Sequence, residues 1–265
     1  IRDSKSGQIY VKGGYKFGRH NSKRFDPEEI KSTGEKYKKD SNHLSSRILV
    51  TGASGGLGSS LMKELGANGL GLSRKPADGI ICVQDLESIF KYEHIGQVDA
   101  IVHCAWPRPL NNPLLDSDGD LKTLTEYHLA KPIRECITLA KFLKKRGTPG
   151  AKLILVGSVF SNPGRHAWSY PFYSLSKSLI PTLVKILALE FGASQHTVVG
   201  VNFDMLDGGM NSTISKAAKI SAMDRSPEGF VPTMDQAAKN ISWILNNNSS
   251  LVSGAIIELS GGNIP

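Results

Sequence analysis

Apolar runs alternate with amphipathic stretches along the chain from Arg47 to its end. The apolar runs predict strands over 48–50, 69–72, 80–83, 98–105, 152–158, 198–203 and 255–259. Helical spacing of apolar residues predicts helices after 58, between 85 and 99, and over 121–145, 173–191 and 235–246. Because strands and helices alternate, we predict an α/β fold, one doubly wound domain with a central parallel sheet of about seven strands.

Residues 1–46 lack this periodicity and are polar, with several glycines. We predict that they form an N-terminal extension or linker and that the folded domain covers 47–265. Within the extension, Asp26-Pro27-Glu28 is a start signal for one short helix. The chain begins with Ile1 and not with methionine, so we expect a piece of a longer fused polypeptide.

The charge of the chain is unevenly distributed. The net charge is +8, and residues 1–46 hold 11 Lys and Arg against 6 Asp and Glu. The other 219 residues hold 21 against 18 and are nearly neutral. A basic total can indicate nucleic-acid binding, but here the excess lies in the extension, so we expect no nucleic-acid partner. An extension that contacts phosphates is the alternative.

Membrane and disulfide classes of protein do not fit the sequence. No apolar run approaches the ~20 residues that cross a bilayer, and the start of the chain lacks the apolar core of a signal peptide. Cys82, Cys104 and Cys136 are odd in number and lack metal-ligand spacing. We therefore expect a cytoplasmic protein with reduced thiols, no metal and no membrane contact.

A glycine-rich stretch directly follows the first strand and opens a helix. Its glycines allow a tight turn, a close approach of the backbone to a pyrophosphate and close helix packing, while the helix N-terminus offers free N–H groups to an anion. We predict a dinucleotide-binding loop formed by Thr51, Gly52, Ser54, Gly55, Gly56, Leu57 and Gly58.

The second strand ends in Ser73-Arg74-Lys75, where a site for NAD would normally carry an acidic residue. Arginine can hold a phosphate through two hydrogen bonds. We therefore predict that NADP(H) is preferred, with Arg74 near its 2′-phosphate, and NAD(H) is the alternative. The alternative interpretation is that Arg74 and Lys75 are solvated charges at a strand end and bind no phosphate.

Tyr173 and Lys177 are four residues apart at the start of a long apolar helix. At this spacing both side chains lie on one helix face, so an ammonium group could stabilise the tyrosinate and bring the phenol closer to the working pH of a proton donor. Such a pair alone is more typical of a solvated face. Its position downstream of a nucleotide loop, and 15 residues after Ser158, favours a catalytic role.

These separated stretches resemble the short-chain dehydrogenase/reductase family from Arg47 to the end of the chain. The resemblance implies a Rossmann fold and an enzyme in which Ser158 orients the substrate oxygen and Tyr173 exchanges a proton with it. It implies that Lys177 holds the nicotinamide ribose and lowers the Tyr173 pKa. It also implies further cofactor contacts by Ser73, Asp85, Leu86, Cys104, Ala105, Trp106, Leu206 and Asp207.

The sequence departs from the family pattern at three places. His128 stands where the family has a helix asparagine that relays protons, and it could relay protons itself or be a buried structural histidine. His103-Cys104-Ala105-Trp106 replaces Asn-Asn-Ala-Gly, and either Leu206-Asp207 or Asp207-Gly208 replaces Pro-Gly. The short spans 58–74 and 85–99 are closer to the branch that acts on nucleotide sugars.

The expected substrate site combines aromatic, sulfur-bearing and cationic side chains, namely Trp106, Arg108, Phe160, Arg165, His166, Trp168, Met205 and Met210. This mixture suits a polar, anionic small molecule such as a sugar phosphate, a nucleotide sugar or a keto acid. The small, mixed residues 211–230 predict a mobile lid.

Two other functions fit the same residues. One is reduction of a 3-oxoacyl compound, and the other is an NADP-binding sensor or scaffold with impaired catalysis. The family pairs through the helices that correspond to 121–145 and 173–191, so we expect a homodimer or homotetramer.

Overall fold

The computed structural model describes residues 46–110, 114–116, 120–162, 170–247 and 250–263. The predicted extension, apart from Ser46, lies outside the described residues, as do Arg165, His166 and Trp168. The prediction that 1–46 and 47–265 are separate units stays a prediction.

One seven-stranded sheet forms the centre of the domain, in the order β3-β2-β1-β4-β5-β6-β7. All neighbouring strands run parallel. The strands are β1 Ile48–Thr51, β2 Gly69–Ser73, β3 Ile80–Cys82, β4 Val98–His103, β5 Gly147–Ser158, β6 Thr197–Phe203 and β7 Ile256–Leu259. Chain order reverses between β1 and β4, and ligands bind beyond the carboxyl ends of strands at such a point. The predicted doubly wound α/β fold is confirmed.

Helices cover both faces of the sheet. They are α1 Gly56–Leu65, α2 Leu121–Thr125, α3 Lys131–Arg146, α4 Pro171–Phe191, α5 Lys216–Arg225 and α6 Met234–Asn246. Buried side chains of α3 and α4 pack on one face of the sheet, and those of α1 and α6 pack on the other. The strands are apolar on both faces because both faces are covered.

Several predicted element boundaries differ from the structure. β5 begins at Gly147, and β4 ends at His103, earlier than predicted. The predicted helix between 85 and 99 is a pair of 3₁₀ turns, Leu86–Lys91 and Glu93–Ile95. The predicted helix over 121–145 runs through α2 and α3 with a π-helical turn, Glu126–Ala130, between them. The segment predicted as a lid contains α5, whose weak amphipathic pattern hid it.

α4 is the most apolar helix of the domain, and by length and composition alone it could cross a membrane. Its inner face, which includes Ile180 and Val184, packs on the sheet as a core helix does. Proline fits at its first turn because the N–H that proline lacks would have no partner there. Its outer face leaves large apolar side chains exposed at Leu175, Leu179, Ile186 and Leu189.

Candidate active site

A cavity of about 1190 Å³ lies at the carboxyl ends of the central strands. The glycine-rich loop after β1 forms one end of it, and the first turns of α4 form the other. The ends of β2, β5 and β6, the loop after β4, and α5 complete its walls. This is the position that the strand order favours for a ligand.

The glycine-rich loop is shaped by close backbone contacts. A Cβ on Gly58 would lie 2.1 Å from the carbonyl oxygen of Gly52, which itself adopts a φ of +69°. A Cβ on Gly56 would lie 2.6 Å from Cα of Gly209, in the loop after β6. The N-cap of α1, Gly55, has no side-chain cap, so the first N–H groups of the helix are available to an anion. The residues present fit a bound pyrophosphate.

The end of β2 carries cationic groups beside the cavity. Ser73 and Ser54 join the strand end to the glycine-rich loop through a hydrogen bond of 2.5 Å between their hydroxyl oxygens. Arg74 is exposed and lines the cavity, and its carbonyl oxygen accepts a hydrogen bond from Gln84 Nε2 at 2.9 Å. Burial raises the pKa of the nearby Glu135 carboxyl, while the charges of Lys131 and Arg74 oppose that rise.

Ser158 and Tyr173 meet at the other end of the cavity. Ser158, the last residue of β5, is 5% exposed, and its Oγ accepts a hydrogen bond from the backbone N–H of Phe160 at 3.3 Å. Burial raises the pKa of Tyr173, and a hydrogen bond with the Ser158 side chain acts in the opposite direction. Tyr173 is therefore a protonated phenol at neutral pH, with its hydroxyl group joined to that of Ser158.

Lys177 is 3% exposed, and its ammonium group is held by a carbonyl and an aromatic face. Nζ donates a hydrogen bond to the Val156 carbonyl oxygen at 2.8 Å and lies 3.9 Å from the centroid of the Trp106 ring. Burial lowers the Lys177 pKa to about 7, and the Cys136 and Cys104 thiols act in the opposite direction.

The effect of Lys177 on the Tyr173 pKa, which the family resemblance implies, stays a prediction. Nζ lies 5.7 Å from the centroid of the Tyr173 ring, and the influence that lowers the Tyr173 pKa comes from the Ser158 side chain. Burial acts against the charged form of both groups, because it lowers the Lys177 pKa and raises the Tyr173 pKa.

His103 joins the glycine-rich loop to the Lys177 region. Its Nδ1 forms a 2.7 Å hydrogen bond with Thr51 Oγ1. Burial and the charge of Lys177 together lower its pKa to about 3, so the ring is neutral at pH 7. Among the residues described, Nε2 of His103 has no hydrogen-bond partner. The neighbouring Cys104 has a pKa raised to about 12 by burial and is a thiol, not a thiolate.

Most of the predicted site residues line this one cavity, namely Thr51, Gly52, Ser54, Gly55, Gly56, Leu57, Gly58, Ser73, Arg74, Leu86, Cys104, Ala105, Trp106, Arg108, Ser158, Phe160, Tyr173, Lys177, Met205, Leu206 and Met210. The other residues of the predicted substrate site, Arg165, His166 and Trp168, lie outside the described residues.

Three predicted site residues are not among those that line the cavity. The Asp85 carboxylate does not line the cavity, because it caps the following turn by accepting from Glu87 N–H at 3.2 Å. Asp207 forms an ion pair of 2.8 Å with Lys219. His128 is buried in the π-helical turn between the rings of Tyr127 and Phe172, at 4.9 and 5.7 Å.

The cavity also contains residues that the sequence analysis did not single out. Tyr127, Lys131 and Glu135 line it from α3 and the turn before it, and Arg225 lines it from α5. The spacing of Tyr127, Lys131 and Glu135, each four residues from the next, was a usable signal for one helix face. Arg225 had no such signal because α5 itself was not predicted. Over the residues described, no group of His, Cys, Asp and Glu is placed to hold a metal ion.

Residues 83–263 match the family model described as enoyl-(acyl carrier protein) reductase. The L-xylulose reductase of Bos taurus is 30% identical over 237 residues, which cover 82% of this chain and 95% of that protein. The 3-oxoacyl-[acyl-carrier-protein] reductase MabA of Mycobacterium bovis is 24% identical over 239 residues, covering 83% of this chain and 93% of that protein.

Solved structures share the fold at lower identity. A short-chain dehydrogenase/reductase from Brucella melitensis, described as a glucose/ribitol dehydrogenase, superimposes with a TM-score of 0.70 at 18% identity, covering 83% of this chain and 97% of that one. A dehydrogenase/reductase from Sinorhizobium meliloti has a TM-score of 0.71 at 20% identity, covering 83% and 95%.

Proposed function

Because the chain belongs to the short-chain dehydrogenase/reductase family, it is an NAD(P)-dependent oxidoreductase that acts on CH–OH and C=O groups, and we propose that it uses NADP(H) on a polar, anionic small molecule. One observation carries the proposal. The hydrogen-bonded Ser158 and Tyr173 open onto the same cavity as the glycine-rich loop and Arg74.

We assign the chemistry to this chain's residues as follows. The N–H groups at the start of α1 would hold the cofactor pyrophosphate, and Lys177 would hold the nicotinamide ribose. When bound, the nicotinamide supplies or accepts a hydride at its C4. Ser158 Oγ orients the substrate oxygen, and the Tyr173 hydroxyl gives that oxygen a proton in the direction of reduction. Because its pKa is raised, the Tyr173 phenol holds its proton at neutral pH. It is therefore in the form that a proton donor needs, and an interaction that lowered its pKa toward the working pH would make the transfer easier.

Loss of the phenol tests this assignment. We expect Tyr173→Phe to oxidise NADPH at least about 100-fold more slowly with any accepted carbonyl compound, while NADPH binding, followed by fluorescence, is retained. Tyr92→Phe is the matched control, because the Tyr92 hydroxyl donates to the Cys82 carbonyl oxygen instead. If the wild type binds NADPH and turns over no carbonyl compound, and Tyr173→Phe changes nothing, the protein is an NADP-binding sensor or scaffold.

NADP(H) preference is supported by the cations at the end of β2. Arg74 and Lys75 line the cavity there, Lys131 lines it from α3, and the charges of Arg74 and Lys131 both act on Glu135. We expect Arg74→Ala to weaken NADPH binding about 10- to 100-fold and to leave NADH binding nearly unchanged, because only NADPH carries the 2′-phosphate. Lys144→Ala, on the exposed last turn of α3, is the control. Equal losses for both cofactors would contradict the preference.

The substrate proposal is supported by Arg108 and Arg225, which line the cavity together with Trp106 and Phe160. The relative that is an L-xylulose reductase favours a polyhydroxylated carbonyl compound. The relative MabA, together with Met205 and Met210 in the lining, favours a 3-oxoacyl compound as the second candidate. The two candidate substrate classes are separated by comparing kcat/KM for sugar phosphates, nucleotide sugars, keto acids and a 3-oxoacyl thioester.

A homodimer or homotetramer is supported by the exposed apolar face of α4. Leu189 is 84% exposed and Ile186 is 47% exposed. We expect Leu189→Glu to lower the molar mass measured by light scattering, and Leu115→Glu, at a fully exposed leucine outside α4, to leave it unchanged. If Leu189→Glu kept the same molar mass as Leu115→Glu and the wild type, this face of α4 would be excluded as the interface.

A further inference from the structure

Among the residues that the structure describes, no negatively charged side chain balances the charge of Lys177. The titratable side chains that favour its charged form are the Cys104 and Cys136 thiols, and burial raises the pKa of each thiol to about 12. His103 is neutral at pH 7, and Tyr173 is a protonated phenol. Near neutral pH, none of these groups carries a negative charge. The ammonium form of Lys177 therefore depends on dipoles and on ring contacts.

A second buried lysine shows what a buried ammonium group otherwise requires. Lys152 is 6% exposed. Its Nζ donates to the carbonyl oxygens of Ile244, Leu245 and Asn247 at the end of α6. At Lys177 the Val156 carbonyl is joined by the face of the Trp106 ring, 3.9 Å from Nζ. The indole thus takes the place that further carbonyl groups have at Lys152.

Trp106 is itself fixed in position. Its Nε1 donates a hydrogen bond to Ser176 Oγ at 2.9 Å, and Ser176 is buried. The His103 ring meets it edge-on with centroids 5.8 Å apart. Because Ser176 directly precedes Lys177 on α4, one helical turn holds both the indole and the ammonium group. A cation over an aromatic face within ~6 Å of its centroid is attracted to it, and more strongly where water is excluded.

We propose that Trp106 is a positioning residue, which holds the Lys177 side chain in its charged form at the carboxyl end of β5 through the face of its indole ring. Only the kinetic test of this proposal rests on the proposed function, in which Lys177 holds the cofactor. Its structural part concerns the ionisation of Lys177 and can be measured without cofactor or substrate.

The first experiment follows the ionisation of Lys177 by NMR in protein labelled at lysine Cε. The Lys177 signal is identified by its loss in Lys177→Met. We expect Trp106→Leu to move the titration midpoint about one pH unit lower, because the variant loses an attraction that only the charged form feels. Trp106→Phe, which keeps a ring of weaker attraction, should fall between Trp106→Leu and wild type.

Two controls separate the ring from other effects. Trp243→Leu removes an indole that is 63% exposed on α6, and its Lys177 midpoint should equal that of the wild type. Ser176→Ala keeps the indole and loses its hydrogen bond, so its midpoint should lie closer to wild type than that of Trp106→Leu. A folded Trp106→Leu with the wild-type midpoint overturns the proposal. If that variant does not fold, a Trp106→Phe midpoint equal to wild type overturns it.

The second experiment measures kcat/KM against pH for wild type, Trp106→Leu and Trp106→Phe. The limb that reports Lys177 should move to lower pH in the same order as the NMR midpoints. A shifted midpoint in a protein that reduces no carbonyl compound would reject the proposed function and support the role of Trp106. Turnover of a carbonyl compound by the wild type, together with an unchanged Lys177 midpoint in Trp106→Leu, would support the proposed function and reject the role of Trp106.

Discussion

The two ends of the cavity are built in different ways. The end at the glycine-rich loop is made of backbone, and its shape depends on contacts such as that between Gly58 and the Gly52 carbonyl. The end at Tyr173 is made of side chains from separate segments, with Trp106 from the loop after β4, Ser158 from β5 and Lys177 from α4. A backbone site tolerates few residue types, whereas a side-chain site can be rebuilt with other residues, as His103 and Trp106 show here.

The sharpest test of the backbone end is Gly58→Ala. Its Cβ would lie 2.1 Å from the Gly52 carbonyl oxygen, which cannot move without opening the turn. We expect the free energy of unfolding to fall by about 3 kcal/mol, and NADPH affinity to fall at least about tenfold. Chemical denaturation and fluorescence titration measure the two effects.

Gly192→Ala is the matched control, because Gly192 has helical backbone angles and open space around it. If Gly58→Ala behaved like Gly192→Ala, the view that backbone contacts shape this end of the cavity would be wrong.

At the side-chain end, Ser158→Ala should lower kcat/KM about 100-fold, because a hydrogen bond to the developing charge is lost. NADPH affinity should stay within about twofold, since the backbone end is intact. The Tyr173 pKa should rise further, because the Ser158 hydrogen bond lowers it, and the alkaline limb of the pH profile should move up with it. Ser178→Ala, whose hydroxyl donates to the Leu175 carbonyl, should change none of these quantities.

His128 tests how far the side-chain end extends. We propose that it relays protons to the site, and we therefore expect His128→Leu to lower kcat about tenfold and His128→Asn to retain it. His196→Leu is the control for loss of a buried histidine, since His196 packs edge-on against Phe191 at 5.4 Å. A wild-type kcat in His128→Leu would leave His128 as a packing residue between Tyr127 and Phe172.

The smallest effect concerns His103, which joins the two ends through Thr51. Its folded-state pKa is lowered to about 3, so between about 3 and 6.5 the unfolded chain binds more protons at this residue, and stability falls as the pH is lowered. From about pH 7 to about pH 5.5 the loss is about 1 kcal/mol. Denaturation midpoints measured at both pH values should show this loss of stability in the wild type and a smaller loss in His103→Asn. His94→Asn is the control at an exposed histidine and should show the same loss as the wild type.

The sequence predicted the structure well at positions where a single physical requirement determines the residue type. Every strand of the sheet was predicted from an apolar run. The glycine-rich loop could be predicted because only glycine fits at positions 52 and 58. The sequence was less informative where a side chain has several uses. Asp85 caps a turn, Asp207 pairs with Lys219, and Trp106 contacts Lys177, and each depends on a partner distant in the chain or on local folding that no pattern displays.

Gly209 packs so closely on Gly56 that the glycine-rich loop and the loop after β6 share one backbone contact. The second loop leads into α5, which lines the cavity with Arg225. A substrate that orders α5 and a cofactor that orders the glycine-rich loop would therefore bias the same contact. Thermodynamic linkage makes such coupling reciprocal, so the factor by which cofactor strengthens substrate binding equals the factor by which substrate strengthens cofactor binding.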